Sequence, residues 1–178
     1  MRCIIALIVL ILLGVLGGLA FIYSGVFNVA ADWKDPAPVT WVVHNTFINS
    51  VKAHARGIAA PASFTDAQVR AGFRHYNETC VYCHGGPGKD PGDISKGLNP
   101  EPPYLVDTAK DWQSNEIFWI VKNGVRMTGM PAFAPVWKDD EIWSIVAFVQ
   151  KLPGMKDEEY ARMEKEANEP PTAPAPAR

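Results

Sequence analysis

Two cysteines and a histidine lie close together in the middle of the chain, in the run Cys80-Val81-Tyr82-Cys83-His84. This C-x-x-C-H spacing is the attachment pattern of c-type haem. Two thiols three positions apart can add to the two vinyl groups on one edge of the porphyrin, and an adjacent imidazole is then held under the iron. We therefore predict one covalently bound haem c, with thioethers from Cys80 and Cys83 and an axial ligand from His84.

Two other uses of a C-x-x-C pair are less well supported. A structural zinc site needs four ligands, and the chain has no second C-x-x-C. The remaining histidines, His44, His54 and His75, do not follow the cysteines at zinc-finger spacing. A thioredoxin-type redox pair would accompany a βαβ pattern, and no strand-like alternation of useful length is present. The spacing and its surroundings favour haem.

An iron that carries electrons benefits from a second axial ligand, because a six-coordinate iron changes its coordination little between oxidation states. The run Gly129-Met130-Pro131 offers a thioether for this position. Glycine permits close backbone approach, and proline stiffens the segment. Met130 is the predicted ligand and Met127 is the rival candidate. Ligation by Met and His raises the reduction potential relative to ligation by His alone.

The amino terminus is apolar and long enough to cross a bilayer. No charged residue occurs between Arg2 and Asp32. About 20 helical residues cross the roughly 30 Å hydrocarbon layer. Residues 1–31 are therefore predicted to form an uncleaved signal-anchor with a single membrane pass. Cleavage after the small residues Val29-Ala30-Ala31 is the alternative, although a secretory signal usually has a shorter apolar region.

Residues 32–63 are interpreted as a polar hinge followed by an amphipathic helix over 40–58. Apolar residues recur there at spacings of three and four, which is typical of a helix with one buried face. Two roles stay open: packing on the domain that follows, or docking on a partner subunit or the membrane surface. The residues of this stripe are Trp41, His44, Phe47, Ile48, Val51, Ala55 and Ile58.

Residues 64–155 are predicted to form a haem domain made of helices alone. Thr65 and Gln68 have the capping-box form at the start of a helix over 66–79, and Ser114 is the predicted cap of a second helix. A last helix should run from about residue 139 to Pro153. Residues 156–178 are interpreted as a charged helical stretch and a disordered Pro/Ala-rich tail.

Composition excludes several function classes. The 178 residues carry 17 Lys+Arg against 19 Asp+Glu, a net charge of −2. Nucleic-acid binding requires a basic surface, so no nucleic-acid partner is expected. Three cysteines are too few for a disulfide scaffold. No distal His/Arg pair or paired carboxylates are placed for proton transfer, so we expect an electron-transfer protein without a small-molecule substrate rather than an enzyme.

The segment from about Thr65 to Pro153 resembles a class I monohaem cytochrome c. The shared features are a helix before Cys-x-x-Cys-His, an intermediate helix, a Gly-Met-Pro loop and a closing helix. The resemblance implies a small all-α fold in which the first and last helices cross. Gly72 and Tyr76 of the first helix would meet Trp143 or Phe148 of the last. With its anchor, the chain also resembles the membrane-bound cytochrome c subunits of bacterial respiratory complexes.

The resemblance further implies a supporting residue and a location. A proline carbonyl should accept the N–H of His84, and Pro100, Pro102 and Pro103 are all candidates. In this family the thioethers form outside the cytoplasm, which places the haem domain in the periplasm and the anchor in the bacterial inner membrane. The excess of positive charge before the apolar run agrees with that orientation.

Three functions follow as hypotheses from these features. The first is a membrane-tethered cytochrome that passes single electrons between partners such as a dehydrogenase, an oxidase or a soluble cytochrome. The second is a cytochrome c subunit permanently docked in a larger oxidoreductase or oxidase complex. The third, a haem enzyme or gas sensor, needs an open iron position, which the Gly129-Met130-Pro131 run disfavours.

Overall fold

The computed structural model describes residues 1–168, and the predicted Pro/Ala-rich tail lies outside these residues. The chain forms two compact units, residues 1–34 and the residues from Asp35 onward. Among the described residues every named element is helical, and the only strand-like feature is an isolated bridge between Gly86 and Lys89. The all-α prediction is confirmed.

The first unit contains one long apolar helix, α1 (Arg2–Ser24). By length and apolar composition it can cross a membrane. It ends at Gly25, whose φ of 67° is the left-handed conformation that glycine adopts at little cost. This helix matches the predicted apolar segment.

The second unit is built from short helices around one aromatic and aliphatic core. In chain order they are α2 (Ala37–Ala55), α3 (Asp66–His75), a π-helical turn (Tyr76–Cys80), α4 (Val81–His84), α5 (Asp93–Lys96), α6 (Leu105–Thr108), a 3₁₀ turn (Ala109–Asp111), α7 (Ser114–Asn123), α8 (Asp139–Val149) and α9 (Asp157–Asn168).

The start of α3 has the predicted capping box. The Thr65 hydroxyl accepts from the N–H of Gln68 at 3.2 Å, and the Thr65 N–H donates to the Gln68 side-chain oxygen at 3.0 Å. The predicted end of this helix, Thr79, is too early. The chain stays helical through the π turn and α4 as far as His84, so the cysteines lie within helical turns rather than after them.

The other predicted cap is displaced by one residue. Ser114 is the first helical residue of α7, and the cap is Gln113, whose N–H donates to the Glu116 carboxylate at 2.8 Å. The start of α8 is similar, because the N–H of Lys138 donates to the Glu141 carboxylate at 2.8 Å. In both helices a glutamate in the first turn reaches back to the backbone, and this placement also suits the helix dipole.

Helices α3 and α8 cross at Gly72. A Cβ at this position would collide with the backbone carbonyl of Ser144, so only glycine allows the two helices to approach so closely. Tyr76 packs on Phe148 with ring centroids 5.1 Å apart, as the family resemblance implied. Trp143, the other candidate, stacks on Phe118 of α7 with ring centroids 4.1 Å apart.

Helix α2 begins and ends three residues earlier than predicted, and its carboxy-terminal half packs on α7. Val51 and Ala55 are buried. The Asn115 side chain donates to the Ala55 carbonyl at 2.9 Å, and the His54 ring stacks on Trp119 with centroids 5.3 Å apart. The packing role left open by the sequence is therefore observed for this half of the helix.

Helix α9 also packs into the domain, although its sequence is mostly charged. Tyr160 is 1% exposed and contacts Phe73, with ring centroids 5.2 Å apart. Its hydroxyl donates to the side-chain oxygen of Asn77 at 3.0 Å, and Glu164 of the same helix forms an ion pair with Lys89. One aromatic side chain in a charged run gives no periodic signal, so the sequence predicts only a charged helical stretch outside the haem domain.

We expect Tyr160→Ala to lower the free energy of unfolding by about 3–5 kcal/mol, the range for removing a buried aromatic side chain. Tyr160→Phe should lower it by only about 1 kcal/mol, because it removes one hydrogen bond and keeps the packed ring. Urea unfolding followed by far-UV circular dichroism measures both. Equal losses in the two variants would contradict the packing role of the ring.

Candidate haem site

The structure brings the two cysteines and the histidine together on two successive helical turns. Cys80 closes the π turn, and Cys83 and His84 end α4; all three are half-buried. Single π turns within helices are rare and are frequently found at functional sites. Here the π turn ends at Cys80 and leads directly into α4, which carries Cys83 and His84.

The His84 ring is oriented by one proline carbonyl. Its Nδ1 lies 2.9 Å from the carbonyl oxygen of Pro103, and neither Pro100 nor Pro102 has this contact. A carbonyl can only accept a hydrogen bond, so Nδ1 carries the proton and Nε2 keeps a lone pair for a metal. Burial lowers the pKa of His84, and the hydrogen bond to Pro103 opposes this shift. The neutral ring that an iron ligand requires is thus favoured.

Two tyrosines hold the backbone that follows His84. The buried hydroxyl of Tyr76 donates to the carbonyl of Gly85 at 2.7 Å, and the hydroxyl of Tyr104 donates to the carbonyl of Gly86 at 2.7 Å. Gly85 has φ 65°, and a Cβ there would lie 2.5 Å from the Tyr104 ring. The sequence places Tyr76 at the helix crossing but leaves the role of Tyr104 undecided between contact with the haem and core packing, because its hydrogen-bond partner lies 18 residues away.

Met130 and its rival Met127 occupy different environments. The Met130 side chain is half-buried and packs against the core, whereas Met127 is 91% exposed and has a positive φ of 59°. The Met130 N–H donates to the Thr128 hydroxyl at 3.1 Å, and that hydroxyl donates to the Val125 carbonyl at 2.8 Å. Val125 donates back from its N–H to the Met130 carbonyl at 3.1 Å, which closes the loop. Met130 is therefore the thioether held toward the interior.

The alternatives to haem gain no support from the geometry. Burial, and then the nearby Cys83, raise the pKa of Cys80 to about 12, whereas a redox-active dithiol needs a thiolate with a lowered pKa. Within residues 1–168 no group of three or more His, Cys, Asp or Glu side chains is arranged to hold a metal ion. The donor set that remains is two thiols, one neutral imidazole and one thioether, which fits a c-type haem.

Comparison with known proteins points to a cytochrome c domain. Residues 67–149 match the family model described as cytochrome c oxidase, cbb3-type, subunit III. The chain is also 33% identical, over 87 residues, to the quinohemoprotein alcohol dehydrogenase of Comamonas testosteroni. That match covers 49% of this chain and 11% of the dehydrogenase, so the chain spans about a tenth of the length of this curated relative.

The fold and the site define a haem-binding, helical electron-transfer domain. This domain is a class I cytochrome c. The histidine and the two cysteines of the haem motif lie inside the matched residues, as does Met130. The match to a cytochrome c domain points to electron transfer.

Proposed function

We propose that this chain is a membrane-tethered, periplasm-facing cytochrome with one haem c, which passes single electrons between respiratory or dehydrogenase partners. Cys80 and Cys83 would carry the two thioethers, and His84 and Met130 would ligate the iron. The observation that carries the proposal is the hydrogen bond from His84 Nδ1 to the Pro103 carbonyl at 2.9 Å. It orients the ring and leaves Nε2 free for iron.

The residues of the chain set the conditions for electron transfer. When bound, the haem supplies a one-electron iron couple. The neutral His84 ring is kept in one orientation by Pro103, and the thioether of Met130 is held by a hydrogen-bonded loop. Iron held by the Met130 thioether and the His84 imidazole would have a higher reduction potential than iron held by histidine alone. With both ligands bound, the iron would change its coordination little between oxidation states.

Membrane tethering and orientation follow from the amino-terminal unit and the attachment chemistry. Helix α1 has 23 residues, which suffices to span a bilayer. Its first residue, Arg2, is its one charged residue, and positive charge favours the cytoplasmic side. The haem domain then lies in the periplasm, where class I cytochromes are expected to receive their thioethers.

A docked subunit is the second candidate function. The matched family model is named for an oxidase subunit, and the relative from Comamonas is named as an alcohol dehydrogenase. Both names place this kind of domain with a larger oxidoreductase. The size of the detergent-solubilised protein separates the two functions: a free carrier elutes as one chain in its micelle, whereas a subunit elutes with its partner chains.

Substitution of the cysteines tests the covalent haem. We expect Cys80→Ala and Cys83→Ala each to retain at most one thioether, with little mature protein and a red-shifted pyridine haemochrome band from the unreacted vinyl group. The double variant should carry no haem that survives a denaturing gel. Cys3→Ala is the matched control, because Cys3 is exposed in α1 and should leave haem content unchanged. Full haem retention in the double variant would eliminate the covalent assignment.

A further inference from the structure

The first two turns of α2 expose large apolar side chains, while its other end is packed. Val39, Val42 and Val43 are 42–61% exposed and Trp41 is 68% exposed. We propose that this end of α2, residues 37–44, lies in the lipid–water interface on the periplasmic side of the membrane. The inference rests on the membrane anchoring proposed above and adds a second contact between the chain and the bilayer.

The sequence on both sides of this segment supports a lipid environment. From Cys3 to Val51 only three residues are charged, Asp32, Lys34 and Asp35. Twelve residues separate the end of α1 at Ser24 from the start of α2. The apolar side chains exposed in this connection are Val26, Phe27, Val29 and Trp33. Trp is a residue that is enriched at membrane–water interfaces.

The distribution of side chains around the helix favours lipid over a protein partner. Successive residues of an α-helix are rotated by about 100°, so Trp41 and Val43 point to nearly opposite sides. A docked protein covers mainly one face of a helix, whereas an interface surrounds a helix end with apolar and polar groups on all sides. Apolar exposure on both sides is confined to these first turns, because Val51 and Ala55 face α7.

The arrangement makes α2 a short connection between the bilayer and the haem domain. Val43 and Val51 are eight positions apart, which is about 12 Å along the helix. Val51 is fully buried against the domain. The haem domain is therefore held close to the membrane surface rather than at the end of a free tether, which keeps its electron exchange with membrane-embedded partners local.

Site-directed spin labelling of the full haem-loaded chain tests the proposal. Cys3→Ser removes the exposed thiol, and single cysteines replace Trp41, Val43 or, as the matched control, Ala53, which is exposed in the packed half of the same helix. The protein is reconstituted in phosphatidylethanolamine–phosphatidylglycerol vesicles. Collision rates are measured with dissolved oxygen, which partitions into lipid, and with a water-soluble nickel chelate.

We expect the oxygen-to-nickel ratio to be severalfold higher at positions 41 and 43 than at position 53. Equal ratios at all three positions, in protein that floats with the vesicles, would overturn the interfacial location. A label shielded from both reagents at position 41 or 43 would also overturn it and indicate a protein partner. Failure to float with vesicles, or loss of the c-type haem spectrum, would instead contradict the proposed function.

Discussion

Met130→Ala should open one axial position of the iron. We expect the near-infrared band of Met–iron ligation to disappear, the reduction potential to fall and the reduced protein to bind carbon monoxide. Met130 is the half-buried thioether of the loop, and alanine has no donor atom to replace it. Loss of the proposed thioether ligand would make the reduced iron less favoured. Visible and near-infrared spectra, a redox titration and carbon monoxide addition measure the three effects.

Met127→Ala is the matched control because Met127 lies in the same loop but is 91% exposed. It should leave the near-infrared band, the potential and the resistance to carbon monoxide unchanged. If Met127→Ala lost the band while Met130→Ala kept it, the ligand assignment would be reversed. If neither variant changed the spectrum, the enzyme or sensor hypothesis with a different axial arrangement would regain support.

Gly72→Ala should destabilise the haem domain more than any other single methyl addition proposed for it. The new Cβ would overlap the backbone carbonyl of Ser144, which belongs to α8 and cannot rotate away as a side chain could. Overpacking of a close helix contact costs about 1–3 kcal/mol and occasionally more, and we expect the upper end of this range. The free energy of unfolding in urea measures the loss.

Gly57→Ala provides the control for the general effect of replacing a glycine. No atom lies within 4 Å of a Cβ built at Gly57, and its φ is not positive. Its effect should stay within about 0.5 kcal/mol, as for other surface substitutions. A Gly72→Ala variant as stable as Gly57→Ala would show that α3 and α8 can separate at little cost. The tight crossing would then not be a requirement of the fold.

Several features were predictable because their partners are near in sequence. The haem motif spans five residues, and the capping box joins Thr65 to Gln68. The apolar run of α1 is contiguous, and the stripe of α2 follows helical spacing. The all-helical fold class can be predicted from such local periodicity, because residues three and four positions apart lie on the same face of a helix.

Other features depend on partners that sequence spacing cannot identify. Three prolines stood as candidates for the support of His84, and only the folded chain brings Pro103, 19 residues away, to Nδ1. Tyr160 reaches Asn77 across 83 residues. The exposure of Met127 and the inward packing of Met130 likewise arise from the hydrogen bonds that close their loop.

The sequence by itself determined the C-x-x-C-H motif, the all-helical fold class and the apolar amino-terminal helix, because each depends on contiguous or regularly spaced residues. The tertiary structure decided which proline supports His84, which methionine is held toward the interior, and that α2 and α9 pack on the haem domain. These choices depend on long-range packing, in which a single side chain such as Tyr160 contributes without any periodic signal.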